Sequence, residues 1–201
     1  MLSFFDKLEK FEIILASKSP RRQQLLHDLG IPFKIVTKDV DESYPDHLQR
    51  EEVALHLALK KANAFEEVLN HDRVIVITAD TIVCIGKQII GKPANYNDAL
   101  KILKNLSGKM HEVFTGVCIS SKEKKILFSA RSEVYFKPFS EDEIHFYIDH
   151  YKPYDKAGAY GVQDWIGLVG IEKINGSYHN IMGLPVKEVY DHLLNSFIAD
   201  S

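Results

Sequence analysis

The sequence is poor in the features that mark several classes of protein. Only two of its 201 residues are cysteines, Cys84 and Cys118, and both lie in apolar, strand-like runs. They read as reduced core residues, too few for a disulfide framework or a zinc site built on cysteine. No apolar run approaches the roughly 20 residues needed to span a bilayer. The first eleven residues carry Asp6, Lys7, Glu9 and Lys10 among scattered apolar positions, which is not the pattern of a signal peptide. Charge of one sign is not in excess: 25 Lys and Arg stand against 28 Asp and Glu, a net of -3. A general nucleic-acid binder is therefore not expected, and no basic stripe with interleaved aromatics is present. There are no repeats and no low-complexity tract. The expected compartment is the cytoplasm, where the sequons Asn105-Leu106-Ser107 and Asn175-Gly176-Ser177 would stay unmodified.

What is present is an ordinary globular composition, 45% hydrophobic and 26% charged, long enough for a sizeable core. Strand-like and helix-like segments alternate, which argues an α/β or α+β fold. Residues 33–37 predict a short strand and 50–69 a long helix. Residues 74–77 predict a buried strand, and 82–85 with 88–90 a hairpin about Gly86-Lys87. Residues 97–106 predict a helix, and 112–119 and 126–136 two strands. Ser140-Glu141-Asp142-Glu143 is a capping box that starts a helix to about His150. Residues 153–163 read as a loop of small residues, 168–174 as a strand, and Asn175-Gly176 as a hairpin turn. Gly183-Leu184-Pro185 opens a last amphipathic helix.

The segment 13–22 carries the strongest local signal. An apolar strand, Ile13-Ile14-Leu15-Ala16, runs into Ser17-Lys18-Ser19-Pro20-Arg21-Arg22. Ser19 is a suitable N-cap and Pro20 suits the first helical position; Leu25, Leu26 and Leu29 form the apolar face, and Gly30 ends the helix. Lys18, Arg21 and Arg22 then crowd the helix end that is already positive, at a cost of roughly 0.3–1 kcal/mol per exposed charge. A solvated arginine pair is the simpler account, but strand and cap together favour an anion held by backbone N–H groups and cations, phosphate above all.

Further polar residues fit such a site. Asp80 follows a run of β-branched residues, at a strand end or within a sheet, flanked by Thr78 and Thr81. A carboxylate buried there must be paired or coordinated, and the hydroxyls shift the balance towards a base or metal ligand. Lys61 shares the apolar stripe of Val53, Leu57 and Phe65, as a snorkelling lysine or as a cation aimed into a cleft, whereas Lys60 points away. Gly86 through Gly91-Lys92 has the spacing of a phosphate-binding P-loop. Pro93 replaces the required Ser or Thr and no helix begins at Lys92, so that reading is rejected, while Lys92 stays a plausible phosphate contact. Asp41 and Glu42, with Asp39, form an acidic cluster. Glu42 with Asp80 would suffice for magnesium when substrate phosphates complete its shell. His111 reads as structural. The small-residue stretch from Lys156 to Gln163 suits a ligand loop in which Gln163 addresses a base edge.

Taken in order, these motifs resemble the Maf family of nucleoside triphosphate pyrophosphatases. The carriers are Ala16-Ser17-Lys18-Ser19-Pro20-Arg21-Arg22, Thr78-Ala79-Asp80-Thr81, Gly91-Lys92-Pro93, residues 107–116, Asp155-Lys156-Ala157-Gly158-Ala159-Tyr160 and Gly183-Leu184-Pro185. The resemblance covers residues 13–194. It implies a single domain over 12–197 behind an extension of residues 1–11. The implied fold is an elongated α/β fold, a mixed sheet flanked by helices with a deep central cleft, similar to the inosine triphosphate pyrophosphatases and usually a homodimer. It also implies metal-dependent cleavage, with magnesium or manganese, between the α and β phosphates. By motif position Asp80 matches the family's proton acceptor, and Arg21, Thr81 and Gln163 match positions linked to base preference, here similar to the dTTP and UTP branch. Glu42, Lys61 and Lys92 match polar residues of the cleft. Ser17, Ser19, Arg22 and Lys156 complete the expected substrate contacts, and Glu42 and Asp80 the metal ligands. The rival expectation is a nucleotide-binding regulator of cell division that does not hydrolyse. The complete set of carboxylates and cations argues against it.

Overall fold

The computed structural model describes residues 4–198. In chain order the elements are α1 (Phe4–Leu8), β1 (Glu12–Leu15), α2 (Pro20–Asp28), β2 (Lys34–Ile35), α3 (Glu51–Asn63), β3 (Val74–Ile85) and β4 (Gln88–Ile90). They continue with α4 (Tyr96–Leu106), β5 (Met110–Ser120), β6 (Lys125–Phe136), α5 (Glu141–Tyr151), α6 (Trp165–Gly170), β7 (Ile171–Asn175), α7 (Tyr178–Met182) and α8 (Val186–His192). Seven strands form one mixed sheet in the order β2-β1-β3-β5-β6-β7, with β4 paired to β3. The expected mixed α/β architecture is therefore the observed one.

One feature of this sheet makes the site. β3 is a single strand of 12 residues, and its two ends have different neighbours on one edge. Residues 74–77 pair in parallel with β1, and residues 83–85 pair antiparallel with β4. Between them, residues 78–82 keep β5 on one side, where Asp80 lies opposite Gly116, while neither β1 nor β4 pairs with them on the other. The predicted strand at 74–77 thus runs on without a break through Thr78-Ala79-Asp80-Thr81. Placing Asp80 in mid-strand orients it by the sheet pleat rather than by a loop.

The core divides about this strand. Leu15, Leu25, Leu26, Ile77, Val189 and Leu193 pack in one cluster, which Leu8 joins from the segment ahead of β1. Leu103, Val134, Ile144, Tyr147, Tyr160 and Ile166 pack in a second. On α3, Val53 and Leu57 cover Ile82, Cys84 and Phe114. Both cysteines are buried and free, as expected. α3 approaches β5 so closely that a Cβ on Gly116 would collide with the Ala54 carbonyl and lie 2.6 Å from Leu55 N.

Local signals were reliable. Ser19 caps α2 with Pro20 at its start, Ser140 and Glu143 form the capping box of α5, and Gly86 turns the β3–β4 hairpin at φ +56°. Longer segments needed correction. The predicted helix over 50–69 ends at Asn63, followed by a short 3₁₀ turn over Val68–Asn70. The strand expected over 33–37 is confined to two residues. Within 168–174 the first half is helical, because Gly167 packs against the Val162 carbonyl and Gly170 against the Phe139 ring. These contacts reward docking a helix where the apolar run alone suggests a strand. Asn175-Gly176 is not a hairpin turn: it leads from β7 into Ser177, the N-cap of α7.

Candidate active site

A cleft of about 480 Å³ opens where β3 lacks a strand on one edge. Its lining includes every residue expected from sequence to bind or act: Ser17, Ser19, Arg21, Arg22, Glu42, Lys61, Asp80, Thr81, Lys92, Lys156 and Gln163. They come from the turn before α2 and its first helical turn, the loop after β2, α3, mid-β3, the segment after β4, and the segment between α5 and α6.

Three charges form the centre. Lys61 Nζ lies 2.5 Å from Asp80 Oδ1 and 2.8 Å from Glu42 Oε1. The lysine on the apolar stripe of α3 is thus the one aimed into the cleft, while Lys60 turns to Asp41. Asp80 is only 9% exposed. Glu42 is held below the ordinary carboxylate range, chiefly by its hydrogen bond from Lys61 against an opposing effect of burial. Lys92 Nζ stands 3.8 Å from the other Glu42 oxygen.

The cationic turn is folded as its residues dictate, but its charges are partly answered by this chain. Ser19 N donates to Ser17 Oγ, and Ser19 Oγ accepts from Arg22 N. Lys18 pairs with Asp39 at 2.6 Å in solvent, and Arg21 reaches Asp155 at 3.3 Å. Arg22 is not the exposed residue of a surface helix. Its guanidinium donates to Gly183 O, to Ala79 O on the open edge of β3 and to Thr81 Oγ1, at 2.7, 2.8 and 3.0 Å. Gly183 supplies that carbonyl from a left-handed cap at φ +111°, which favours glycine.

Lys156 is 13% exposed and lies 2.9 Å from Asp155 and 3.8 Å from Asp164. Asp155 is therefore shared between Arg21 of α2 and its own sequence neighbour Lys156. Asp164 also accepts from Tyr147 Oη at 2.7 Å, and that hydroxyl accepts from Gly161 N at 3.1 Å. Sequence reasoning did not single out Asp155, Asp164 or Tyr147 for these contacts. Their partners lie up to 134 positions away, and no local pattern reports such pairing.

The far end of the cleft changes character. Val83, Val113, Val162, Ile181 and Met182 form an apolar wall of it, and Thr81 and Gln163 are uncharged polar residues of the same cleft. Gln163 Oε1 is buried and accepts no hydrogen bond from the described residues. A charged end joined to an apolar end with two hydrogen-bonding side chains suits a polyphosphate carrying a heterocycle.

His111 lies behind this wall with no exposure, its Nε2 2.8 Å from Tyr160 Oη. Burial pushes its pKa down from 6.5 to about 4. The imidazole is neutral in the folded chain, so protons favour the unfolded state as pH falls through that window. Unfolding in urea near pH 7 and near pH 5 should show a loss of about 2 kcal/mol from this group. In His111→Gln the pH-dependent part should shrink by that amount, whatever the variant's stability near pH 7.

The Maf-like protein family model matches residues 12–196. A dTTP/UTP pyrophosphatase of Bacteroides fragilis (strain YCH46) is 49% identical over 187 residues, covering 92% of this chain and 96% of that one. Proteins of the same name from Parabacteroides distasonis and Cytophaga hutchinsonii are 49% and 48% identical, covering 94% and 96% of this chain and 97% and 88% of theirs. Among solved structures, the Staphylococcus aureus Ham1 protein matches with a TM-score of 0.43 and 14% identity, over 62% of this chain and 71% of that one. A HAM1 protein from Coxiella burnetii matches with a TM-score of 0.41 and 16% identity, over 63% and 73%. The ordered motifs, the match across nearly all of the described chain and the near-half identity to these relatives agree: the chain belongs to the Maf-like protein family.

Proposed function

We propose that the protein is a nucleoside triphosphate pyrophosphatase acting on dTTP and UTP. The single observation that carries this reading is the convergence of Asp80, Glu42, Lys61 and Lys92 at the charged end of a cleft whose other end is apolar. The specificity assigned rests on the relatives named above.

In this reading the triphosphate lies along Lys18, Arg21, Lys61, Lys92, Lys156 and the amides of the Ser17–Ser19 turn, and the base enters between Val83, Val162 and Met182. Asp80 accepts a proton from the attacking water. The water oxygen bonds to the α phosphorus as the bond from that phosphorus to the α,β-bridging oxygen breaks, giving a nucleoside monophosphate and pyrophosphate. Lys61 and Lys92 stabilise the charge that builds on the leaving pyrophosphate. Lys61 also holds the Asp80 carboxylate in one orientation before substrate arrives. Arg22 acts through its three contacts, fixing the open edge of β3 and the Gly183 turn.

The donor set fits magnesium or manganese. Glu42 and Asp80 are two hard oxygen donors gathered on a single cation from separate elements, and these metals need few carboxylates when phosphates and water supply the rest. Bound there, the ion would neutralise phosphate charge. The same reading places a homodimer in the cytoplasm, carried by the family resemblance. Among the described residues no helix is long and apolar enough to cross a membrane.

The test is pyrophosphate release from a panel of nucleoside triphosphates with magnesium, with manganese and with a chelator. Turnover of dTTP and UTP that the chelator removes is the expected result. Absence of turnover with every nucleotide and both metals would overturn the reading.

A further inference from the structure

A chain of hydroxyl groups runs behind the base end of the cleft, and its proton directions are determined. Thr115 is fully buried on β5 and is not among the residues lining the cleft. Its Oγ1 lies 3.0 Å from the Asn180 carbonyl oxygen and 2.9 Å from Thr81 Oγ1. A carbonyl only accepts, and two oxygens at that separation attract only with a proton between them. The single hydroxyl proton of Thr115 is therefore committed to Asn180. That carbonyl cannot turn away. It also accepts from Gly183 N at 3.0 Å, and the Asn180 side chain donates to Val113 O and Ser132 Oγ.

With its proton spent, Thr115 can only accept from Thr81. Thr81 in turn accepts from Arg22 Nη2 at 3.0 Å, and an arginine only donates. Thr81 thus gives its one proton to Thr115 and fills one lone pair with Arg22. The capacity left on its oxygen is one acceptor position. Thr81 lines the cleft, as Gln163 does.

We infer that Thr115, without touching substrate, sets base selection by fixing the proton of Thr81, so that Thr81 meets the base only as an acceptor. Resting on the dTTP and UTP reading above, the group it favours is the ring imide N–H shared by thymine and uracil. Cytosine carries a bare ring nitrogen at the same position and meets the Thr81 oxygen lone pair to lone pair. Such a mismatch at a desolvated polar site rejects an analogue more strongly than a difference in shape does. Thr115 is a positioning residue in this scheme, and Arg22 and Asn180 are the fixed ends of the chain.

The experiment compares kcat/KM for UTP and CTP in the wild type, Thr115→Val and Thr115→Ser. The wild type is expected to prefer UTP. In Thr115→Val the Thr81 hydroxyl is free to donate to a ring nitrogen, and the UTP-to-CTP ratio should fall about ten- to a hundredfold. Thr115→Ser retains the proton path and should keep the wild-type ratio. Thr81→Val, which keeps the side-chain shape at a half-buried position, should lower the ratio as well, which covers failure of Thr115→Val to fold. Equal losses on both nucleotides in Thr115→Val, or an unchanged ratio in Thr81→Val, would overturn the inference, as would a wild type that does not distinguish the two nucleotides. Wild-type protein inactive on dTTP and UTP would overturn the proposed function itself.

Discussion

Asp80→Asn should lower pyrophosphate release from dTTP by about a thousandfold or more while leaving the fold in place. Asparagine has nearly the same shape, so the β3–β5 register about Gly116 is kept. What disappears is the negative charge and the capacity to take a proton, and general-base catalysis contributes roughly 10²–10⁴-fold. The two carboxylates gathered by Lys61 also become one. Lys61 retains Glu42 at 2.8 Å, so its ammonium is not left without a counter-charge, and the stability cost should stay near 1 kcal/mol. Thermal melting within a few degrees of the wild type, combined with lost turnover, is the expected pair of results. Turnover near wild type would remove Asp80 from the role of base.

Gly116→Ala should be strongly destabilising although it adds a single methyl. Gly116 is buried, lies opposite Asp80 on β5, and its backbone is in an ordinary extended conformation, so the effect does not come from dihedral preference. It comes from α3, whose backbone occupies the space: the new Cβ would meet Ala54 O and stand 2.6 Å from Leu55 N. Neither is a flexible side-chain tip that can turn aside. The helix must move outward, at a cost of about 3 kcal/mol or more for overpacking a close contact. For a chain of this size that corresponds to a fall in Tm of roughly 10 °C. Because α3 carries Lys61, the same shift should draw the ammonium away from Asp80 and lower kcat even in the fraction that remains folded. A melting temperature within 2–3 °C of wild type, on the same scale, would contradict the close approach.

The legible parts of this molecule were those written in neighbouring residues. Ser19 and Pro20 at a helix start, Gly86 between two short strands, and Ser140 with Glu143 act within a few positions of each other. Charge spacing on α3 separated Lys61 from Lys60 correctly because a helix has one period. Gathering distant motifs into one cleft followed from their joint resemblance to a family, not from any single motif. What was not legible depends on pairing at a distance. Nothing near Arg22 announces that its partners are Ala79, Thr81 and Gly183, so a residue read as phosphate-facing or solvated turns out to brace the sheet edge. Asp155 reads as a motif member, yet its contact with Arg21, 134 positions away, needs the fold to exist. The helix at 165–170 was hidden because its glycines are chosen by the carbonyl and ring that press on them.

The change of partners along β3 also has a mechanical consequence. At the level of Asp80 the sheet is three strands wide, with Asp80 opposite Gly116 and Gly116 opposite Ser129, while β1 and β4 pair with β3 only beyond that level, on either side. That narrow waist is splinted by α3, whose backbone presses on Gly116 there. The carboxylate that must be aimed most accurately is therefore seated where the sheet has fewest strands and a helix supplies the backing.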